Sequence, residues 1–295
     1  MDEAPENPKW RQAPYSIEGV QEIVRSAAKL SVVGRRTKAL WSVRCSAPQE
    51  SIPDMDVSTV GLRRLRGVVD YSWQDQVVTV LAGTRIFELQ RVLRERNQCI
   101  PLGPSGPESL DRGSLGGSIA MNLPHLLEGR YGNWRDWILG MKIVLADGTL
   151  ATCGSHAVKS VAGYDVQKLF VGSRGTLGII VQVTLRTFPS VEIAAPMAEF
   201  KKIRRAVQRV ALSNYAEAAR NLGRPYVGDY ETGTLWFNLE RDEEPLRYEG
   251  DWLLRTAAGK RNLEFTDQTQ IRLMKRAKEI FDPTGKLNPG EMGIF

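Results

Sequence analysis

The chain is poor in the residues that build metal and nucleophile sites. It has two histidines, His125 and His156, and three cysteines, Cys45, Cys99 and Cys153. Two histidines in separate segments do not make a histidine-rich metal centre, so no metal is expected. The cysteines lie far apart and include no Cys-x-x-Cys pair. No disulfide framework, iron–sulfur cluster or zinc site arises from their local spacing. Reduced, partly buried thiols are expected instead. No apolar run approaches the roughly 20 residues that cross a bilayer. The opening residues, MDEAPENPKW, are acidic and proline-bearing, unlike a secretory signal, so a cytoplasmic location is expected. A Gly-x-Ser-x-Gly elbow, a His-Glu-x-x-His helix, a P-loop and a strand–GxGxxG–helix fingerprint are all missing.

The remaining composition fits a globular protein of two or three domains. The chain has 295 residues, 42% hydrophobic and 25% charged. Its net charge of +6, from 40 Lys and Arg against 34 Asp and Glu, is mild for this length. The basic group Lys201, Lys202, Arg204, Arg205 and Arg209 has helical spacing and reads as a solvated helix face, with docking to an acidic partner or to nucleic acid as the alternative. No nucleic-acid motif accompanies it.

Periodicity divides the chain. Residues 16–30 read as an amphipathic helix capped by Ser16, with Ile17, Val20, Ile23, Val24 and Ala27 on one face. Ser31–Val33 is a short strand running into the loop Gly34-Arg35-Arg36-Thr37-Lys38. Strand signals come next near 52–57 and 67–71, and Val77–Ala82 is a buried strand. Gly83 turns the chain into a helix over 84–96, with Thr84 as its cap. A Gly-, Pro- and Ser-rich loop covers 101–118, a length usually associated with function. A second α/β unit spans 119–190, with strands at 137–145, 149–152 and 178–187 and a hairpin turn at Asp147-Gly148. Beyond Pro189 the pattern changes. Residues 197–222 read as helical, 226–239 as strand, 240–261 as partly helical, and 267–281 as a last helix ending at Asp282-Pro283. A boundary near 190 separates a short C-terminal region.

The most informative stretch is 158–189, VKSVAGYDVQKLFVGSRGTLGIIVQVTLRTFP. It places the turn Gly172-Ser173-Arg174-Gly175 ahead of Thr176-Leu177-Gly178 and an apolar strand. Glycines this dense bring backbone close to something flat or anionic, or simply make a tight turn. With the loops 34–38, 101–118 and 129–132, it forms the kind of set that a ligand with a phosphate and an aromatic ring requires.

The wording of these loops resembles the flavoprotein family with the FAD-binding fold of vanillyl-alcohol oxidase and p-cresol methylhydroxylase (PCMH) type, and within it the FAD-binding small subunits of bacterial glycolate oxidases. The matching pieces are residues 62–84, SLGGSIAMN (114–122), RYGNWRDWILGMKIVLADGT (130–149), 158–186 and FDPTGKLNPG (281–290). The resemblance implies an α+β chain. It would comprise an extension (1–14), a two-subdomain FAD-binding PCMH-type fold (15–190, subdomains 15–100 and 101–190) and a short α+β cap (191–295).

The resemblance also implies roles. Gly34, Arg35, Arg36, Thr37 and Lys38 inherit the pyrophosphate loop. Pro101, Ser114, Leu115, Gly116 and Gly117 lie along the flavin and its linker. Asn122, Tyr131 and Gly132 match further contacts. Gly178 and Ile179 match backbone at the adenine end, and Asn288 would return towards the isoalloxazine ring. Arg130 and Tyr164 are possible polar neighbours, and Tyr226, Tyr230, Trp236 and Asn238 are cap residues that read either as core or as pocket. No residue is assigned as catalytic.

Two departures matter. The family loop carries consecutive glycines where this chain has Arg35 and Arg36, so a position needing positive φ would be strained, and the loop either adds charge to the pyrophosphate or loses FAD. The histidine that attaches FAD covalently in some members is missing from this loop, so FAD is expected to be noncovalent; His125 and His156 read as ordinary surface or hydrogen-bonded residues. The implied activity is hydride transfer from a small 2-hydroxy acid to flavin, within a complex that includes a larger flavin subunit and an iron–sulfur subunit. Peripheral attachment to the inner membrane through these partners is implied, with no membrane span of its own. The alternative is a scaffold subunit with weakened or lost FAD binding.

Overall fold

The computed structural model describes residues 12–35, 57–102, 113–125, 127–154, 165–190, 206–223, 226–229, 231–237, 252–255, 263–265 and 268–291. The chain opens on helix α1 (Ile17–Ser26), where Ser16 is the cap and its Oγ accepts from the Gly19 N–H at 3.1 Å. The cap satisfies one of the helix's orphan donors. Val20 and Val24 are fully buried along the inner face, each contributing roughly 1.5–3 kcal/mol. Strand β1 (Lys29–Val33) comes next and pairs in parallel with β2 (Val57–Gly61).

The central sheet is antiparallel throughout. It contains β3 (Val68–Ser72), β4 (Val77–Leu81), β6 (Ile138–Val144), β7 (Leu150–Gly154) and β8 (Ile179–Arg186), in the order β3-β4-β8-β6-β7. Its strands therefore come from both sides of residue 100. Asp147-Gly148 makes the expected turn between β6 and β7. Asp147 accepts from the backbone and hydroxyl of Thr149, and Gly148 takes φ +85°. Helix α2 (Ile86–Arg94) lies after β4, and the short β5 (Gln98–Cys99) pairs with β9 (Phe188–Pro189). Helices α3 (Leu115–Met121), α4 (Glu128–Tyr131) and α5 (Trp134–Trp137) precede β6.

One bulge lets β8 serve two cores. Its register against β6 shifts between Lys142↔Gln182 and Ile143↔Ile180, which leaves Val181 without an opposite residue. An extra residue in one strand reverses the facing of the residues beyond it. Ile179 and Val181 thus join the core beneath α1, β1 and β2, whereas Val183 and Leu185 join the core beneath α2, α3 and α5. Within the sheet, Thr79 and Thr184 are buried cross-strand partners whose hydroxyls meet at 2.9 Å.

Several expectations are corrected. Thr84 does not cap α2: its hydroxyl donates to Leu81 O at 2.7 Å, tightening the turn after β4, and the helix starts two residues later. The glycine-rich segment ends earlier than 118, because Leu115 to Met121 are helical. Past 190 the chain is richer in strand than periodicity indicates. Strand β10 (Ala206–Arg209) interrupts the expected helix, and among its described residues α6 (Leu212–Asn221) is the helical part; the β-branched Val207 beside Ala206 suits an extended strand. Trp252–Arg255, within a stretch read as partly helical, forms β13. With β11 (Tyr226–Asp229), β12 (Thr234–Phe237) and β14 (Leu263–Phe265) these make a second antiparallel sheet, ordered β11-β12-β10-β13-β14. Its small core holds Val210, Ala218, Leu222, Leu235 and Phe237. Helix α7 (Gln268–Phe281) ends before Asp282-Pro283 as expected, and Phe281 packs on Phe170 of the larger core.

Candidate functional site

Four segments distant in sequence close into a ring at the end of β1. The C-terminal segment runs beside β1: Leu30 N–H donates to Lys286 O and Asn288 N–H to Leu30 O, both at 2.8 Å. Asn288 then reaches across. Its Oδ1 accepts from Val32 N–H at 2.7 Å, and its Nδ2 donates to Arg174 O at 2.7 Å. The segment 172–174 is held in turn by the last carbonyls of α3, with Gly172 N–H on Ile119 O and Arg174 N–H on Ala120 O. At the other end of α3, Ser114 lies against Gly34, where any Cβ would overlap the Ser114 Oγ. Glycine permits that approach with the Ser114 hydroxyl left where it is; a Cβ would require the hydroxyl to turn away. Gly175, at φ +72°, is the second such position, since a Cβ there would come within 2.7 Å of Asn288 Nδ2.

Of the residues singled out by sequence, this ring brings together Gly34, Arg35, Ser114, Asn122 and Asn288, with Gly116 and Gly117. Gly117 also packs towards Ser114 Oγ, and Gly116 sits against Ala82 at the end of β4. Leu115 is fully buried in the core, so it supports the helix rather than facing a ligand. Asn122 ends α3 in the left-handed region at φ 42°. Asn288 spends its carbonyl oxygen and an amide hydrogen on protein partners, which makes it a clamp within the ring.

The other predicted positions lie elsewhere. Tyr131 and Gly132 end α4; Tyr131 O accepts from Trp137 Nε1 at 2.8 Å, and its ring meets Phe188 edge-on. Gly178 is wedged against Ile143 and Phe170, and Ile179 points into the core, so these two can offer only backbone to a ligand. Pro101 is buried just past β5. Arg130 is exposed with its guanidinium over the Tyr131 ring, and Tyr226 is 42% exposed on β11. Arg36, Thr37, Lys38, Tyr164, His156, Tyr230 and Asn238 lie outside the described residues, as does the side chain of Trp236.

Arg35 carries no strain, because neither it nor Gly34 has positive φ. The expected conflict between a Cβ and the loop's path therefore does not arise at Arg35. His125 is not a surface residue: it is 1% exposed and its ring tilts against Trp137 at 5.5 Å.

Sequence reasoning missed three charged groupings. The first surrounds Arg35, whose guanidinium is held below its ordinary pKa by burial and then by the charge of Arg85, with Arg66 and Arg63 adding and Glu88 opposing. Arg85 stands between β4 and α2, bridged to Ser114, and its Nε is buried without a hydrogen-bond partner. Glu88 lies 3.7 Å from that Nε and 3.8 Å from Arg66. The second is the buried pair Arg174–Glu291. The third joins the C-terminal sheet to α4: Arg209 Nη2 donates to Glu128 Oε2 at 2.7 Å, while Asn133 Nδ2 donates to Oε1 at 2.8 Å. Burial pushes the Glu128 carboxyl up, but Arg209 and Asn133 outweigh it and hold its pKa below the usual value. Arg209 is thus a strand residue in an ion pair, not part of a solvated helix face; Lys201 to Arg205 lie outside the described residues. Among the described residues no cluster of histidine, cysteine or acidic side chains could hold a metal.

The ring offers a glycine approach, a helix start and surplus positive charge at one place. These features suit an anionic ligand on an α+β fold. Residues 8–154 match the FAD binding domain model, and residues 259–292 match that of the C-terminal domain of FAD linked oxidases. The chain belongs to the FAD-binding PCMH-type flavoprotein family, and its cofactor is FAD. It is similar to the D-2-hydroxyglutarate dehydrogenase of Xanthomonas citri pv. viticola, at 35% identity over 61% of this chain and 37% of that one. It is also similar to glycolate oxidase subunit GlcE of Escherichia coli, at 27% identity over 79% of this chain and 63% of that one. With glycolate oxidase subunit GlcD of Bacillus subtilis it shares 31% identity over 50% of this chain and 31% of that one. The chain thus spans less than two thirds of the length of each of these relatives.

Proposed function

We propose that the chain is a noncovalent FAD-binding oxidoreductase subunit of glycolate oxidase type, serving the oxidation of a small 2-hydroxy acid in a multi-subunit complex. The observation that carries this reading is the closed ring through Val32, Gly34, Ser114, α3, Arg174 and Asn288, which brings together segments that the sequence resemblance assigns to FAD. FAD, when bound, supplies a two-electron hydride acceptor. The chain's own residues then have limited tasks. Gly34 and Gly117 leave room beside Ser114. Asn288 and Arg174 fix the loop 172–175 against β1. Gly178 and Ile179 present backbone only.

The region 191–295 acts in this proposal as a shortened cap over the FAD-binding part, 15–190, and Glu128–Arg209 is the strut between them. A larger flavin subunit and an iron–sulfur subunit are the proposed partners; the likeness to both GlcE and GlcD supports a multi-subunit complex. Membrane attachment would run through those partners; no described helix is long and apolar enough to cross a membrane.

The test is a visible spectrum of the purified chain, with FAD added and then glycolate or D-lactate. A bound flavin spectrum that bleaches with the acid supports a working dehydrogenase site. A bound flavin that does not bleach assigns oxidation to the larger subunit and leaves this one relaying electrons. Absence of bound flavin at excess FAD overturns the proposal in favour of a scaffold subunit. The unstrained backbone at Arg35 favours the first two outcomes.

A further inference from the structure

We propose that Arg35 and Arg85 form a side-chain site for a diphosphate anion and act as charge ligands of the FAD pyrophosphate. The proposal rests on the FAD reading given above and adds Arg85 to it as a ligand.

The geometry comes from two turns that meet at Ser114. Arg35 comes directly after Gly34, which is pressed against the Ser114 side chain. Arg85 forms an isolated antiparallel bridge with Ser114 itself, reinforced by Ile86 N–H on Gly113 O and Leu115 N–H on Thr84 O. The two arginines therefore flank one short segment of backbone, although they are fifty positions apart in the chain. Arg63 and Arg66 add their charges from the turn after β2. Among the described residues acting on Arg35, Glu88 is the one carboxylate, and it is shared between Arg85 and Arg66 at 3.7 and 3.8 Å.

Arg35, Arg66 and Arg85 against that one carboxylate are an unfavourable arrangement in an empty site. Like charges gathered at partly buried positions repel each other and lose hydration. Glu88 offsets only part of this: one of its oxygens accepts from the Arg85 backbone N–H at 3.4 Å, the other lies 3.7 and 3.8 Å from the two guanidinium groups, beyond hydrogen-bond distance, and Arg85 Nε is left buried without a hydrogen-bond partner. An anion with several acceptor oxygens would resolve both deficits. Planar guanidinium groups suit phosphate oxygens, which they can bind two at a time. A diphosphate, with two linked phosphoryl groups, matches two arginines that stand beside the same residue, Ser114.

The experiment measures flavin binding by fluorescence titration for the full chain and for Arg35→Ala, Arg85→Ala and Arg91→Ala, the last an exposed residue on α2 outside the site. FAD, riboflavin and inorganic pyrophosphate are the probes. The expected result is that FAD affinity falls about tenfold or more in each of the first two variants, since each loses a charged hydrogen-bond donor. It stays unchanged in Arg91→Ala. Riboflavin, which lacks phosphates, binds all four chains alike. Pyrophosphate raises the melting temperature of the wild-type chain and not that of the two site variants.

FAD affinity within twofold of wild type in both variants, or tighter, would overturn the arginine site while leaving the flavin reading in place. A wild-type chain that takes pyrophosphate through these arginines but binds no FAD would support the anion site and overturn the flavin reading. Loss of riboflavin binding in step with FAD would also overturn the proposal, because it would show that the substitutions act on the fold.

Discussion

Arg174 and Glu291 lie 117 positions apart and meet inside the protein, Nη1 to Oε1 at 3.3 Å, with side chains 3% and 7% exposed. The pair joins the loop ahead of β8 to the segment after Asn288, so it backs the ring that carries the flavin assignment. Burial lowers the pKa of the Arg174 guanidinium, and Glu291 opposes that shift. Glu291→Ala removes the carboxylate that faces this buried cation and should cost about 3–5 kcal/mol. The double variant Arg174→Met, Glu291→Leu should recover most of it. Urea unfolding of the two singles and the double checks this, and strictly additive losses would contradict it.

Asn288→Gly tests the clamp. The residue sits at φ 43°, so glycine keeps the backbone while removing the bonds to Val32 and Arg174. A loss of about 2 kcal/mol in stability is expected, together with weaker FAD binding in the same spectral titration. Unchanged FAD affinity would separate the clamp from the cofactor site.

Acid should weaken the C-terminal attachment. Burial pushes the Asp282 carboxyl up, but the hydrogen bond from Lys278 and those from Leu287 and Lys286 N–H outweigh it, so its folded pKa lies below the ordinary 3.8. A group with a depressed folded pKa contributes stability that is present above its unfolded pKa and lost as pH falls through the folded one. Stability should therefore drop below pH 3.8. Asp282→Asn should be less stable at neutral pH and lose that part of the acid dependence. Melting temperatures recorded against pH for both chains make the comparison.

Glu128 ties α4 to the second sheet through Arg209, 81 positions away. Arg209→Ala leaves the 7%-exposed carboxylate with the Asn133 amide as its neutral side-chain donor. A cost of about 2 kcal/mol is expected, with faster proteolysis of the second sheet than of the central one. Equal protection of both would argue against a strut.

Cys153 should be inert. Burial pushes its thiol up to about 11, so little thiolate exists at neutral pH. Alkylation with subsequent peptide mapping should show slow labelling of Cys153 in the folded chain and rapid labelling in denaturant.

The legible parts of this protein were those encoded over a few neighbouring residues. Ser16 as a cap, the Asp147-Gly148 turn, the run Val77–Leu81 and the helix stop at Asp282-Pro283 all depend on local backbone preferences. The loops 34–35, 114–117 and 172–175 were legible as glycine-marked turns, and their wording carried the family. The segments misread, 206–209 and 252–255, are short strands within charged stretches, where pairing with neighbouring strands overrides weak local preference.

Sequence alone determined that this is an α+β flavoprotein with a glycine-lined turn near its first strand. Tertiary structure alone decided which charges meet. Nothing around Arg85 announces Arg35, nothing around Glu128 announces Arg209, and nothing around Arg174 announces Glu291. The reason is physical. Turns and caps are set by dihedral preferences within a few residues, whereas an ion pair or anion site is set by how sheets and helices stack. That stacking is driven by non-directional burial of apolar surface, which leaves no local mark on the polar residues it brings together.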